Sequence, residues 1–166
     1  MPKFALIPGT LRSKPQPKSK PKSTPREALV TVIEPLELPI GKISVFEYLY
    51  RDGGNFKSWG WLVLSGVATE AEVAMVKSCI ESNAYFIAEQ VDIPALYEEL
   101  WQYSNGPTEE DHVLHEFHSL RAVTDQEPSD NVEIFASTKI FDPVENFISK
   151  FRAVKTWDYS LSSHYF

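Results

Sequence analysis

The densest run of chemically capable side chains is Asp111-His112-Val113-Leu114-His115-Glu116-Phe117-His118, which holds three of the four histidines in the chain. Imidazole and carboxylate are the ordinary ligands of zinc, iron and manganese. The backbone decides which of them converge. On a helix, His112 shares a face with His115 and Glu116, and His118 points elsewhere; on a strand, His112, Glu116 and His118 lie on one face with Leu114, and His115 lies opposite. Either state places two histidines and one carboxylate together, the donor set of an open metal site that activates water. The metal candidates are therefore His112, Glu116 and His118, holding a divalent ion. The catalytic candidates are His115, Glu116 and Asp111. The order His-x-x-His-Glu-x-His is not the His-Glu-x-x-His of a zinc protease helix. A half-buried strand with satisfied histidines explains the same residues without any cofactor, and the spacing favours that reading. A pH-sensing role is a third, since histidine titrates near neutrality.

A second cluster surrounds a glycine pair: Tyr50-Arg51-Asp52-Gly53-Gly54-Asn55-Phe56-Lys57. Arg51 and Lys57 could hold an anion there. The segment lacks both the G-x-x-x-x-G-K-[ST] phosphate loop and the G-x-G-x-x-G dinucleotide fingerprint. Asp and Asn in such a place ordinarily bond their own backbone, which makes turn chemistry the simpler account. Nucleophilic catalysis has little support. There is no G-x-S-x-G, and Cys79 falls near the apolar stripe of an expected helix, where a thiol packs rather than reacts.

The elements that position these residues follow from periodicity and punctuation. Ile43–Tyr50 and Phe56–Leu64 are rich in β-branched and aromatic residues and are joined by five residues with a Gly-Gly pair. That pattern predicts a β-hairpin whose glycines supply positive φ. Trp59 and Trp61 share one face of its second strand and are expected in the core. Thr69-Glu70-Ala71-Glu72 is a capping box, and Val73, Val76 and Ile80 follow at helical spacing. A connection over 84–92 leads to Pro94, which opens a helix with Leu96, Tyr97, Leu100 and Trp101 on its inner side. Ser104-Asn105-Gly106-Pro107 ends it. His112–Val123 alternates loosely and reads as a strand. Val132–Phe141 is expected to be another. Asp142 caps a last helix with Pro143 at its first position and Val144, Phe147, Ile148 and Phe151 as its stripe. The order β-β-α-α-β-β-α predicts an α+β fold, a mostly antiparallel sheet with helices on one face.

Charge divides the chain. Its 166 residues carry a net −7. Residues 1–30 contain seven basic side chains and one acid, a net of +6, which leaves −13 on the rest. Residues 1–28 read as a disordered Pro/Lys-rich arm, and 29–166 as a single globular domain, with Leu29–Ile33 as an edge strand ended by Pro35. An acidic body repels nucleic acid and anionic membranes; the arm could make weak, salt-sensitive phosphate contacts. No apolar run reaches the roughly 18 residues of a membrane span, and Phe4–Ile7 is too short for a signal peptide. A single cysteine rules out an intramolecular disulfide and a Cys-based zinc motif, and it fits a reducing cytoplasm.

Tyr50-Arg51-Asp52-x-x-Asn55-Phe56-Lys57, then Gly106-Pro107-Thr108, then Asp111-His112-x-x-His115-Glu116-Phe117 resemble small bacterial proteins of unknown function, over residues of about 43–123. The resemblance implies a bacterial cytoplasmic protein and assigns no activity. The function expected from these readings is a non-catalytic protein-interaction or accessory module. A small metal-dependent hydrolase built on 111–118 is the alternative.

Overall fold

The computed structural model describes residues 42–161. The basic arm 1–28, the expected edge strand Leu29–Ile33 and residues 162–166 lie outside the described residues.

The expected hairpin forms the middle of the sheet. Strand β1 (Ile43–Arg51) pairs antiparallel with β2 (Lys57–Ser65), running from Ile43 opposite Ser65 to Arg51 opposite Lys57. Its turn works differently from the expectation. The left-handed residue is Asn55, at φ 68°, not a glycine. Asp52 organises the loop: its Oδ1 accepts from Phe56 N–H at 2.8 Å, and its carbonyl accepts from Asn55 N–H at 3.0 Å. Gly53 makes a close approach instead. Its N–H donates to the Glu110 carbonyl at 2.8 Å, and a Cβ there would collide with the Glu110 carboxylate.

Strand β4 (Leu114–Ala122) lies antiparallel on the other side of β1, and β3 (Tyr85–Ile87) pairs with β4. A two-residue strand, β5 (Asp142–Pro143), runs parallel to the end of β2. The order across the sheet is β3-β4-β1-β2-β5. The fold is α+β as expected, but the sheet is mixed rather than antiparallel throughout. β1 is central and buried on both faces except at Glu47 and Arg51.

Among the described residues four α-helices complete the fold: α1 (Glu70–Cys79), α2 (Tyr97–Ser104), α3 (Ser129–Ser137) and α4 (Val144–Ala153). Among the described residues no helix is long and apolar enough to cross a membrane. α1 begins on the expected capping box: Thr69 Oγ1 accepts from Glu72 N–H, and the Glu72 carboxylate accepts from Thr69 N–H at 2.8 Å. α2 ends at Asn105, whose left-handed backbone lets its N–H reach the Trp101 carbonyl. At α4 the cap is Pro143, one residue later than expected.

The observed order of elements is β-β-α-β-α-β-α-β-α, not β-β-α-α-β-β-α. Three segments account for the change, one of them the short strand β5, expected as the start of the last helix. Tyr85–Ile87, expected as connection, adds a strand because Phe86 and Ile87 are buried beside β4. Val132–Phe141, expected as a strand, is largely helix. Strand alternation would set Phe135 on the same side as Glu133 and Ser137. The helix instead turns Phe135 onto Ile43, Val45 and Val63, and tertiary burial overrides the β preference of Val and Ile.

α3 also corrects the layering. The main core lies on one face of the sheet, where Phe46, Tyr48, Tyr50, Leu64 and Leu120 meet Val76 of α1 and Phe147 and Phe151 of α4. The Phe46 ring stands 4.9 Å from Phe147 and 5.2 Å from Tyr48, centroid to centroid. The smaller cluster under Phe135 sits on the opposite face, so the helices are not confined to one side. It covers that face only in part. β2 is buried continuously at Leu62, Val63 and Leu64, then alternates where the cover ends.

Candidate functional site

The histidine cluster straddles a loop and a strand, and this separates its members. His115 is fully buried on the core face, opposite Tyr50. Its Nε2 accepts the Leu96 N–H at 2.9 Å, so the ring proton sits on Nδ1, 3.3 Å from the Val113 carbonyl. Both nitrogens serve the fold. Glu116 projects to the other face, where Arg51 Nε and Nη2 grip it at 2.8 and 3.1 Å. His118 is the extra residue of a bulge: Glu47 pairs with Ser119 and Tyr48 with Phe117, leaving His118 unmatched. It stands edge-on to Trp59 at 5.0 Å. His112 precedes the strand and lies edge-on to the Tyr50 ring at 5.3 Å, with its Nδ1 accepting from Leu114 N–H at 3.3 Å. The metal set His112, Glu116 and His118 is thus divided by the sheet. Among the described residues no three His, Cys, Asp or Glu side chains gather to hold a metal ion.

Asp111 is a junction between three elements. Oδ1 accepts from the Tyr50 hydroxyl at 2.7 Å; Oδ2 accepts from Trp101 Nε1 at 3.1 Å and from the Thr108 N–H at 2.7 Å. Burial pushes this carboxyl up, but the donors from the Thr108 backbone and from Tyr50, Trp101 and Thr108 side chains outweigh it, and the group sits below its ordinary range. The hydroxyl of Tyr50 in turn accepts from His112 N–H at 3.0 Å. A carboxylate bonded in this way ties three elements of the fold together.

The expected anion pair is likewise altered. Arg51 is committed to Glu116 and, through Nη1, to Asn55 Oδ1 at 3.1 Å. The ion pair raises its already high pKa. Lys57, its partner across the hairpin, lines a cleft instead.

That cleft, of about 660 Å³, lies between the hairpin tip, α2 and the turn before β4. Phe56, Leu100, Trp101 and Tyr103 form its apolar wall; Asp52 and Glu110 carry acids at its edge. Phe56 is 69% and Tyr103 82% exposed. Glu110, in sequence a turn residue ahead of the histidine cluster, and Tyr103, which no motif marks, thus join the candidates here. The signal for Tyr103 was present, because the stripe Leu96, Leu100, Tyr103 continues at helical spacing beyond the buried part of α2.

Comparison with protein-family models, with curated proteins and with solved structures returned no match. The class of protein is therefore given by its own architecture, an α+β domain with a mixed five-stranded sheet.

Two buried phenols give this region a pH dependence. Burial, then the charge of Glu99, raises the pKa of Tyr48; burial, together with Asp111 and Asp52, raises that of Tyr50 despite the opposing His112 N–H. A folded-state pKa above the unfolded value contributes stability that is complete below the unfolded value of about 10 and is lost as pH rises through the folded one. Urea midpoints are accordingly expected to fall above pH ~10, with these two phenols ionising only as the chain unfolds. Ordinary ionisation of every tyrosine in the folded chain, read from phenolate absorbance, would contradict this.

Proposed function

We propose that the chain is a non-catalytic protein-interaction or accessory module that docks a partner on the open part of its sheet. The observation that carries this reading is the exposure of Trp59 and Trp61, 54% and 39%, side by side on one face of β2. Tryptophan is costly to leave in water and is enriched among residues that dominate binding energy. The two rings are backed by a rigid surface. Trp61 rests edge-on against Phe135 at 5.5 Å, Trp59 stands against His118, and the Arg51–Glu116 pair lies on the same face. The central apolar patch with charges around it has the make-up of an interface core and rim. The acidic body argues for a protein rather than a nucleic acid partner, and the lone Cys79 for a reducing cytoplasm. The resemblance to small bacterial proteins points to the same setting.

The test is a photo-crosslinking residue at position 59 in cells that make the chain. One specific protein is expected to be captured. Trp59→Ala is expected to weaken that complex about 30-fold or more, the loss of a dominant contact, with an unchanged melting temperature. Failure to capture a specific protein, or a Trp59→Ala variant that binds its partner as tightly as the parent, would overturn the reading.

A further inference from the structure

We propose that the cleft between the hairpin tip, α2 and the turn before β4 binds a small organic cation, an ammonium or guanidinium carried on an apolar body. This goes beyond the docking face, since α2 packs on the core side of the sheet and Trp59 and Trp61 lie on the other.

Three observations converge. The first is size and shape. About 660 Å³ falls in the range of pockets for small molecules, and the wall is apolar with a few polar groups at its edge. The second is the chemistry of that wall. Phe56, Trp101 and Tyr103 present aromatic surface, whose electron-rich faces attract cations and, to a lesser degree, any apolar body. Phe56 and Tyr103 contribute little to the core, being 69% and 82% exposed. The third is charge. Asp52, Glu110 and Asp111 line the cleft, and among the described residues Lys57 is the only cation that does. Asp111 is fixed by Tyr50, Trp101 and Thr108, so its charge is held in place rather than free to move. Arg51, the nearest other cation in sequence, is bound to Glu116 and does not line the cleft. Three carboxylates against one ammonium leave the site negative, and low-dielectric walls focus that field.

Glu110 is the group placed to meet a ligand's positive end. Its backbone carbonyl is anchored by Gly53 N–H at 2.8 Å, which fixes the turn while its carboxylate remains at the cleft edge. Tyr103 is the exposed ring on the opposite helix. Lys57 works against a dication and favours a ligand with one charge at one end.

The experiment titrates the full chain with phenethylamine, with phenethyl alcohol as the neutral analogue and phenylacetate as the anionic one. The Trp101 indole N–H signal in an NMR spectrum is the readout. The amine is expected to saturate and to move that signal, with the alcohol at least about tenfold weaker, a difference set by charge. Glu110→Gln and Tyr103→Ala are expected to weaken amine binding about three- to tenfold each. Both positions are exposed, so both variants keep the fold. Glu133→Gln, on the exposed side of α3, is expected to bind as the parent does. Equal binding of the alcohol, tighter binding of phenylacetate, no saturation by the amine, or an equal loss in Glu133→Gln would each overturn the proposal. None of these outcomes bears on capture of a protein at Trp59, so the two readings fail separately.

Discussion

His115→Ala is expected to destabilise the domain by about 3–5 kcal/mol, through a cavity and an orphaned donor together. The ring is fully buried among Tyr50, Phe86, Tyr97 and Tyr48, with centroids at 5.4, 5.9, 6.0 and 6.1 Å. Removing it opens space that four large rings cannot close together. It also strips the Leu96 N–H of its acceptor at the start of α2. A buried unsatisfied N–H costs about 1–3 kcal/mol by itself. The two contributions separate with His115→Phe, which keeps most of the volume and loses only the acceptor. That variant is expected to fall between parent and alanine. Urea denaturation at neutral pH measures all three. A histidine held for catalysis or metal binding behaves oppositely, because its removal tends to spare stability; a loss below about 1 kcal/mol would point that way.

Asp111→Ala is expected to cost about 2–3 kcal/mol, the scale of hydrogen bonds to a charged group. Its carboxylate ties β1 through Tyr50, α2 through Trp101 and its own turn through Thr108. Truncation leaves the Tyr50 hydroxyl and the Trp101 N–H seeking new partners at the floor of the cleft. Asp111→Asn keeps one oxygen as acceptor and replaces the other with a donor, so it should be milder. The acid limb of stability provides a second check. A carboxylate whose folded pKa is depressed contributes stability that is present above its unfolded value of about 3.9 and is lost as pH falls through the folded one. Asp111→Asn is expected to flatten the fall in urea midpoint below pH ~4. An acid limb identical to the parent's would show that the carboxylate has no structural role.

Both experiments turn on residues whose type was legible and whose role was not. His115 and Glu116 are adjacent in sequence and could each be a ligand or a base. The strand sends one into the core and the other to the solvent face. Strand register alone makes that division, and it sends His118 out with Glu116, beside Trp59. The bulge between Glu47 and Tyr48 then breaks the alternation at Ser119, whose hydroxyl meets Glu47 on the same face as His118. Nothing local in the sequence marks that bulge.

The sequence by itself determined the hairpin of β1 and β2, the capping box of α1, the stop of α2 at Asn105 and the apolar stripe of α4. Each is a local device, with its signal carried by neighbours within a few residues. It determined the α+β class for the same reason. Only the tertiary structure decided that 129–137 is helix, since the choice depends on where Phe135 finds its partners, some 70–90 residues back along the chain. It likewise decided that Tyr85–Ile87 adds a strand, that β5 makes the sheet mixed, and that Arg51 is spent on Glu116. The cleft belongs to this second group. Its walls come from a hairpin turn and from the helix and loop over 100–111, some 50 residues later in the chain, which only the fold brings together. Long-range contacts place side chains, and chemistry follows placement; that is why the histidine run was conspicuous in the sequence and its members part company in the fold.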